Sequence, residues 1–305
     1  MTLFCSAWLR IPQPVVLGLL CLGLPTCETQ RAGALDSQVV ELTAAPALPP
    51  AELRAPVAYW QETRREPRPL RLHFLRVDVA SRDLEVVALV APDPDGDGAA
   101  DATLTDPLTL AAQAGALAAV NANAFGGLPD RTGTRDSNWL EGKPVEILGW
   151  ALQGSREAST PRPGYASVWA DGKGKSFVAD LAEPRPAVAA AGGFSQILRD
   201  GRNLCGDDKP LHPRTAAGVD ATGRWLWLVV VDGRQSGISE GMTTLELAEL
   251  MKNLGCDDAL NLDGGGSSIM VIADPEGKPQ IVNQPSGGRP RPVPVMFGIR
   301  RRGGS

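Results

Sequence analysis

The sequence predicts an α+β fold, with a mixed β-sheet core and packed helices in a single domain at residues 57–302. The chain has 305 residues, of which 43% are hydrophobic and 21% charged, so there is enough apolar mass for a sizeable core. Aromatic residues make up 5%, whereas Gly (34) and Pro (26) are abundant. Short apolar runs separated by turn residues favour a loop-rich α/β or α+β domain over a helical bundle.

Alternating or continuous apolar segments bounded by turns indicate the strands. The clearest predicted strands are 70–79, 84–90, 145–151, 165–170, 225–231, 259–262, 269–272 and 295–299. Two helices are predicted from their start and stop signals. The first begins at residue 105 or 106, has Pro107 at its first position and runs to about Ala119. The second begins at residue 243 or 244 and is closed by Gly255.

The first 27 residues are typical of a secretory signal. Arg10 precedes an apolar run at residues 14–24 that is too short to span a bilayer as a mature helix. Two processing sites are predicted. The first is the loose lipobox that ends at Cys27, where a lipid would tether the protein to a membrane. The second is signal peptidase cleavage after residues 32–34. A buried N-terminal helix is the alternative, which the flanking prolines disfavour. Residues 28–56 read as a linker, and we expect a periplasmic or extracellular protein, secreted or lipid-anchored.

Export determines how the cysteines are interpreted. Cys5 and Cys21 belong to the signal and Cys27 to its end, so Cys205 and Cys256 remain in the body of the protein. An even pair in an oxidising compartment predicts a disulfide between Cys205 and Cys256. Buried thiols are the alternative, and metal ligation is disfavoured because no histidines cluster with the two cysteines.

An acidic segment near residue 95 resembles the start of a calcium loop. Asp93, Asp95, Asp97 and Asp101 alternate with Gly, Pro and Ala, a pattern that suits oxygen ligation of Ca²⁺. The bidentate Glu expected at the twelfth position is replaced by Leu104. A solvated acidic turn is the favoured interpretation, with a calcium site as the alternative, and no other cofactor or metal is expected.

The strongest candidate site is the run from Asn261 to Ser268. A mostly apolar strand leads into Asp263, three glycines and two hydroxyls, and strand character then resumes. Glycines allow positive φ and close approach of another molecule to the main chain. The pattern therefore predicts a rigid site for a polar, anionic substrate, with a tight hairpin turn as the alternative.

A second strand ends in the same way. The all-apolar run Trp225–Val231 leads into Asp232 and Gly233, and a helix connects it to the strand before Asp263. A strand–helix–strand unit places its strands in one sheet, and the two acids lie at the same end if the strands are parallel. The sequence thus predicts a pair of carboxylates.

Two further polar clusters follow apolar segments. Asn121 heads one of them, and its amide suits sugar hydroxyls, although an Asx-rich turn is an equal alternative. Arg214, at the start of an apolar stretch, could clamp a phosphate or carboxylate through its planar guanidinium. The alternative for Arg214 is a surface salt bridge.

Taken together, these motifs resemble the phosphodiester glycosidase family over roughly residues 70–300. The Asn-Leu-Asp-Gly-Gly-Gly-Ser-Ser run is highly specific to that family, and Arg-Thr-Ala-x-Gly followed by Asp-Gly reinforces it. The resemblance depends on these segments: residues 121–127, 192–201, 214–218, 232–233, 244–254, 261–268 and 291–294. The family usually has Asn-Gly-Gly-Phe-Phe where this chain has Asn121-Ala122-Asn123-Ala124-Phe125, so only Asn121 is carried over from that motif.

The resemblance implies a single phosphodiester-glycosidase-like domain that hydrolyses the C1–O bond of a sugar-1-phosphodiester, such as an N-acetylglucosamine-1-phosphodiester. Asp232 and Asp263 would be the carboxylate pair and Arg214 the phosphate clamp. The implied substrate-binding residues are Asn121, Thr215, Gly233, Asn261, Gly264, Gly265, Gly266, Ser267, Ser268 and Arg291.

Other function classes are weighed against this one. The net charge of −5 argues against a general nucleic-acid surface. A non-catalytic binder of cell-envelope polysaccharide could use the same polar clusters without turnover. A calcium-dependent envelope protein is a weaker alternative that would depend on residues 93–101.

Overall fold

Antiparallel strands dominate this computed structural model, which describes Thr43, residues 55–206 and residues 210–303. The predicted signal at residues 1–27, the cleavage site at 32–34 and most of the predicted linker 28–56 lie outside the described residues. The strands, numbered in chain order, are β1 Val57–Arg64, β2 Leu70–Asp78, β3 Leu84–Val90, β4 Ala102–Thr103, β5 Ala116–Asn121, β6 Phe125–Gly127, β7 Pro144–Ile147, β8 Ala151–Gln153, β9 Arg156–Ser159, β10 Ala166–Ala170, β11 Ser176–Asp180, β12 Ala189–Gly192, β13 Ser195–Arg199, β14 Arg202–Asn203, β15 Arg214–Val219, β16 Trp225–Val231, β17 Asp258–Asn261, β18 Met270–Ala273, β19 Pro279–Ile281 and β20 Val295–Arg301.

The strands form four sheets. A seven-stranded sheet has the order β1-β2-β16-β15-β17-β13-β14, and two five-stranded sheets have the orders β11-β10-β12-β8-β9 and β19-β18-β5-β20-β3. A three-stranded sheet has the order β4-β7-β6. Neighbouring strands are antiparallel throughout the paired registers of the described residues.

The predicted mixed sheet with packed helices is therefore wrong in part, because the fold is mostly β. Residues 55–206 and 210–303 contain two α-helices, α1 at Pro107–Ala114 and α2 at Thr244–Asn253. Parallel neighbours need long crossover connections, whereas most strands here are joined by turns. The connection through α2 is such a crossover, yet β15 lies between β16 and β17 and keeps every pairing antiparallel.

The seven-stranded sheet is buried on both faces, which is why β16 is almost wholly apolar. One face joins the two five-stranded sheets in the largest hydrophobic cluster, through residues such as Leu75, Leu228, Val120 and Phe297. The other face packs against α2 through the second cluster, formed by residues such as Leu72, Phe74, Val229, Leu247 and Leu250. The helix after β16 is thus confirmed as a packed helix.

The first predicted helix is shorter than expected. Asp106 caps it by accepting from the N–H groups of Leu108 and Thr109, and Gly115 ends it with φ 61. The segment from Ala116 is strand β5 instead, because it pairs with β18 and β20. Sheet pairing outweighs the helical preference of this alanine-rich stretch, because tertiary context overrides intrinsic propensity.

The second predicted helix matches its sequence signals closely. Thr243 caps it in a capping box with Glu246, in which each side chain bonds the other residue's backbone N–H. The helix starts at Thr244, one of the two residues predicted for its beginning, and ends shortly before Gly255.

The predicted disulfide between Cys205 and Cys256 is absent, and both residues are thiols. Cys256 is 4% exposed and forms part of the cluster under α2. The Cys205 thiol points to the carbonyl of Ile197, with an S–O distance of 4.0 Å. Burial raises the pKa of the Cys256 thiol well above its usual value, and the charges of Asp220 and Asp258 add to this effect.

Candidate functional site

Three adjacent central strands of the seven-stranded sheet bring several predicted site residues together at the same strand ends. β15 pairs with β16 and β17 on either side, with Arg214 opposite Val231 and Ala216 opposite Asn261. Since β15 is antiparallel to both, β16 and β17 run in the same direction. Their carboxyl ends therefore flank the start of β15, as the sequence predicted for one shared sheet. Arg214 stands between the strand ends that lead to the two acids.

The turn that follows β17 and contains Gly264, Gly265 and Gly266 is here called the glycine turn. Backbone hydrogen bonds to three other segments fix it. The N–H groups of Leu262, Asp263 and Gly265 donate to the carbonyls of Thr215, Ala122 and Pro213, at 2.8, 2.9 and 2.9 Å. Gly265 has φ 63 and begins a short 3-10 turn that ends at Ser267. Two of the three glycine N–H groups are used within the protein, because Gly264 donates to the carboxylate of Asp263 and Gly265 to Pro213.

The glycines also make room for two arginines. A Cβ on Gly265 would lie 3.2 Å from both terminal nitrogens of Arg234, and a Cβ on Gly266 would overlap the guanidinium of Arg291. A Cβ on Gly264 would lie 2.8 Å from the carbonyl oxygen of Pro213. Two guanidinium groups therefore pack directly against the main chain of the turn.

Beside the turn is a cavity of about 250 Å³, here called the inner cavity. It brings together many of the predicted residues with others that sequence reasoning missed. The predicted residues on its wall are Arg214, Asn261, Asp263, Gly264, Gly265, Gly266 and Arg291. The residues added by the structure are Phe194, His212, Pro213 and Arg234.

Asp263 supplies the carboxyl group of the inner cavity. Burial raises the pKa of its carboxyl to about 6, although a hydrogen bond from Ser267, the charge of Arg291 and the N–H of Gly264 each act to lower it. A carboxyl with this pKa exchanges protons near neutral pH, as acid–base catalysis requires.

The cations around the inner cavity differ in what they contact. Arg214 is 8% exposed, and its Nε and Nη2 donate to the carbonyls of Met242 and Pro210, at 2.8 and 3.3 Å. Arg234 is exposed, and its Nη2 lies 3.3 Å from Nδ1 of His212. Arg291 donates from Nη1 to the Ser267 hydroxyl at 3.3 Å. Neither Arg234 nor Arg291 forms an ion pair at salt-bridge distance with a carboxylate of the described residues.

Two buried polar atoms at the turn accept or donate no hydrogen bond within the described protein. Asn261, which is 4% exposed, leaves its Oδ1 without a partner on the wall of the inner cavity. The hydroxyl of Ser268, at 2% exposure, is also without a partner. Buried polar atoms are nearly always paired, so these two atoms are exceptions within the described protein.

Asn121 and Thr215 lie behind the turn rather than on the cavity wall. Asn121 is 1% exposed and Thr215 is fully buried. The Asn121 amide donates to the carbonyl of Asp263 at 2.6 Å, and its oxygen accepts from the Thr215 hydroxyl at 2.8 Å and from the N–H of Ile269 at 3.0 Å. These contacts position the turn that carries Asp263.

Asp232, which directly follows β16, is buried away from the inner cavity. It is 1% exposed, accepts from the Asn283 amide at 2.9 Å and the Gln284 N–H at 3.1 Å, and lies 3.4 Å from Nε2 of buried His73. It is absent from the residues that line the inner cavity. Its catalytic role stays a prediction, and its contacts favour a positioning role. Gly233 is likewise buried. Pro213 packs closely against it, since a Cβ on Gly233 would lie 2.6 Å from the nitrogen of Pro213.

A second, larger cavity of about 830 Å³, here called the outer groove, adjoins the inner cavity. The two share Arg234, Gly266 and Arg291. Beyond these residues the outer groove is lined by side chains that include Trp139 and Arg289. Sequence reasoning missed this groove and Arg234, although an Arg directly after Asp-Gly at a strand end was an available signal.

The acidic segment 93–101 uses its carboxylates within the protein. Asp93 accepts from the N–H groups of Asp95 and Gly96, and Asp101 accepts from the N–H of Ile147. The Asp95 carboxylate bonds the N–H of Ala100, and Asp97 is exposed. Within the described part of the chain, no group of three or more His, Cys, Asp or Glu side chains is arranged to hold a metal ion.

No helix among the described residues has the length and apolar character needed to cross a membrane.

Comparison with sequence families confirms the resemblance noted from the motifs. Residues 153–300 match the phosphodiester glycosidase family. The matched stretch includes Arg214, Asp232 and the whole glycine turn, whereas Asn121 precedes it. A curated relative, the SPbeta prophage-derived uncharacterized protein YomE of Bacillus subtilis (strain 168), is 42% identical over 82 residues. Those residues are 27% of this chain and 12% of the relative, so the chain spans a small part of that protein.

Two solved structures share the fold. A protein from Synechocystis has a TM-score of 0.60 at 14% identity, covering 81% of this chain and 62% of that one. The catalytic domain of zebrafish N-acetylglucosamine-1-phosphodiester alpha-N-acetylglucosaminidase, auto-inhibited by its pro-peptide, has a TM-score of 0.56 at 22% identity, covering 81% of this chain and 82% of that one. At these identities the likeness shows the fold alone.

Proposed function

We propose that this chain, which belongs to the phosphodiester glycosidase family over residues 153–300, is a hydrolase that cleaves the C1–O bond of a sugar-1-phosphodiester. The observation that carries the proposal is the meeting of Asp263 with the guanidinium groups of Arg234 and Arg291 at the inner cavity. A titratable acid beside two cations suits a bond that joins a sugar to a phosphate. Export remains a prediction from residues 1–27.

The phosphate binds between Arg234 and Arg291. Both guanidinium groups lie against the glycine turn, and neither is neutralised by a carboxylate at salt-bridge distance in the described protein. Guanidinium groups bind phosphate oxygens through paired, charge-assisted hydrogen bonds. Arg214 adds a third cation to the wall, although its Nε and Nη2 also hold backbone carbonyls.

The sugar binds in the remaining space of the inner cavity. Asn261 lies on the wall of this space, and its side-chain amide offers donors and an acceptor to sugar hydroxyls. Phe194 is 40% exposed on the same wall, and its ring centre lies 6.3 Å from that of Tyr165. An exposed aromatic ring on a polar cavity offers an apolar surface for the C–H face of a sugar. At about 250 Å³ the cavity fits one sugar residue, since larger ligands need roughly 300–1,000 Å³.

Asp263 is the proposed general acid. Water adds to C1, the bond from C1 to the phosphate oxygen breaks, and its electron pair stays on that oxygen. Asp263 donates its proton to the oxygen, and the proton lost by the water is released to solvent. The products are the free sugar and a phosphate monoester. Arg234 and Arg291 offset the negative charge that develops on the leaving phosphate, and a protonated Asp263 avoids repulsion beside it.

The test is hydrolysis of a sugar-1-phosphodiester in water enriched in ¹⁸O. Cleavage of the C1–O bond places the label on the sugar and none on the phosphate monoester, as mass spectrometry of both products shows. Label on the phosphate would mean attack at phosphorus and would overturn the proposed bond. Binding of the substrate with no product would support the alternative of a polysaccharide-binding protein.

A matched pair of variants connects the activity with the site. Asp263→Asn removes the proposed acid with little change in shape, whereas Asp97→Asn makes the same change at an exposed position far from the glycine turn in sequence. We expect Asp263→Asn to lower kcat by about 10²–10⁴-fold and Asp97→Asn to leave it unchanged. Equal activity of the two variants would remove Asp263 from the chemistry.

A further inference from the structure

The outer groove continues from the place where the phosphate is proposed to bind. The inner cavity and the outer groove meet at Arg234, Gly266 and Arg291. A phosphodiester has one esterified group on each side of its phosphate. If one group is the sugar in the inner cavity, the other leaves the shared wall in the direction of the outer groove. This continuity rests on the proposed function.

The outer groove is unusually rich in unneutralised positive charge. Arg234, Arg289 and Arg291 line it, and none of them lies within salt-bridge distance of a carboxylate of the described residues. Two acids also lie on its wall. The Asp106 carboxylate faces the start of α1, where it accepts from two backbone N–H groups, and Glu141 is exposed. Three guanidinium groups on one wall, none of them in an ion pair at salt-bridge distance, favour a ligand with more than one negative charge.

An aromatic side chain adds an apolar surface to the same wall. Trp139 lines the groove and is fixed by edge contact with Phe125, with ring centres 5.0 Å apart, and by Lys143, whose Nζ is 5.9 Å from the indole centre. The neighbouring Leu140 is 59% exposed. Such a surface packs against the carbon backbone of a chain while the arginines hold its charges.

We propose that the outer groove binds the continuing chain of an anionic polymer, in which the group leaving with the scissile phosphate carries at least one further phosphodiester. Arg289 contacts that second phosphate, and Trp139 packs against the carbon skeleton between the two phosphates. With a volume of about 830 Å³, the groove lies within the range that holds ligands of several tens of atoms. The substrate class is therefore a polymer of sugar or polyol phosphates, rather than a small diester.

The experiment compares two substrates with the same sugar at the scissile bond. The short one carries a single glycerol on its phosphate, and the long one carries an oligomer of glycerol phosphate. We expect Arg289→Glu to lower kcat/KM on the long substrate about tenfold more than on the short one, and the difference to shrink as salt rises. Arg185→Glu, the same charge change at an exposed residue outside the groove, leaves both substrates unaffected.

A neutral oligosaccharide of the same length as the leaving group completes the set. If it is processed as well as the phosphate oligomer, or if Arg289→Glu lowers kcat/KM equally on the short and the long substrate, the proposal is overturned. Arg289→Gln, which removes the charge without reversing it, serves as the second variant, and its unfolding temperature shows that the fold is retained.

Failure of this proposal and failure of the proposed function give different results. If no substrate is hydrolysed, calorimetric titration with the glycerol phosphate oligomer alone still tests the groove. Binding that Arg289→Glu weakens about tenfold supports the groove and counts against hydrolysis. Hydrolysis of the short substrate without any binding of the oligomer supports hydrolysis and overturns the groove.

Discussion

The side-chain amide of Asn121 donates a hydrogen bond of 2.6 Å to the main-chain carbonyl of Asp263. Asn121 ends β5 and Asp263 follows β17, so this bond connects two different sheets of the molecule. The other atom of the same amide, Oδ1, accepts from Thr215 and Ile269. One buried side chain thus fixes the position of the turn that carries the proposed acid.

Asn121→Ala tests this positioning role. The change leaves the Thr215 hydroxyl, the Ile269 N–H and the Asp263 carbonyl without their buried partner, so we expect a loss of about 3 kcal/mol in the free energy of unfolding. A misplaced turn also lowers kcat by about 100-fold in the folded protein. Urea unfolding and steady-state kinetics measure the two effects. Gln280→Ala, at an exposed side-chain amide outside both cavities, is the control and stays within about 0.5 kcal/mol of wild type.

The activity of the protein is expected to depend on pH through Asp263. Because the acid must be protonated and its pKa is raised to about 6, kcat/KM falls as pH rises through 6. In Asp263→Asn the remaining activity lacks this descending limb. A pH–rate profile of both proteins is the measurement. A wild-type rate that rises through pH 6 would instead make Asp263 a base.

The same raised pKa changes the stability of the fold. The folded protein holds the Asp263 proton more tightly than the unfolded chain does, since the pKa goes from 3.8 to about 6 on folding. Stability is therefore lost as pH rises from about 4 to about 6, by an amount near 3 kcal/mol for a shift of about two units. Asp263→Asn removes this loss, so its unfolding temperature exceeds that of wild type at pH 8 but not at pH 4. A difference that is the same at both pH values would contradict the assignment.

Asp232→Asn distinguishes positioning from catalysis at the second acid. The amide replaces one acceptor oxygen by a donor that faces the Asn283 amide or the Gln284 N–H, so we expect a loss of about 1–3 kcal/mol in unfolding free energy. In the folded protein kcat falls by less than tenfold. A loss of about 10²–10⁴-fold in kcat at unchanged unfolding temperature would establish the catalytic role that the sequence suggested.

Gly266→Ala tests whether the arginine on the glycine turn binds the substrate. The added Cβ overlaps the Arg291 guanidinium and displaces it, which raises KM for a phosphodiester about tenfold through the loss of a charge-assisted contact. Gly206→Ala is the control, because a Cβ there meets nothing within 4 Å and the residue has no positive φ. An unchanged KM for Gly266→Ala would exclude Arg291 from phosphate binding.

The two thiols of the body of the protein are expected to differ in reactivity. Cys205 is half-buried, whereas Cys256 is 4% exposed and its pKa is raised by burial. A thiol reagent therefore modifies Cys205 in the native protein and Cys256 only after unfolding. Comparison of Cys205→Ser with Cys256→Ser assigns each signal. A lowered unfolding temperature in the presence of reductant, absent from both variants, would instead reveal a disulfide.

Local patterns in the sequence determined several elements correctly. The apolar run that became β16 and the helix start at residue 243 or 244 were predicted directly, because strand character and helix start signals depend on neighbouring residues. The chemistry of the turn that follows β17 was equally visible, since three glycines beside Asp263 have few structural uses. The alanine-rich segment after Gly115 was misjudged, because its strand pairing depends on residues far away in the chain.

By itself, the sequence determined that buried strands lead into Asp232 and Asp263 and that Asp263 lies beside a run of three glycines. The tertiary structure alone decided which side chains meet there. It placed Arg234 and Arg291 on the glycine turn, moved Asn121 and Asp232 behind it, and separated the inner cavity from the outer groove. The reason is physical: a strand's pattern follows from its own residues, whereas these side-chain contacts depend on how distant segments pack, as in the bond between Asn121 and Asp263.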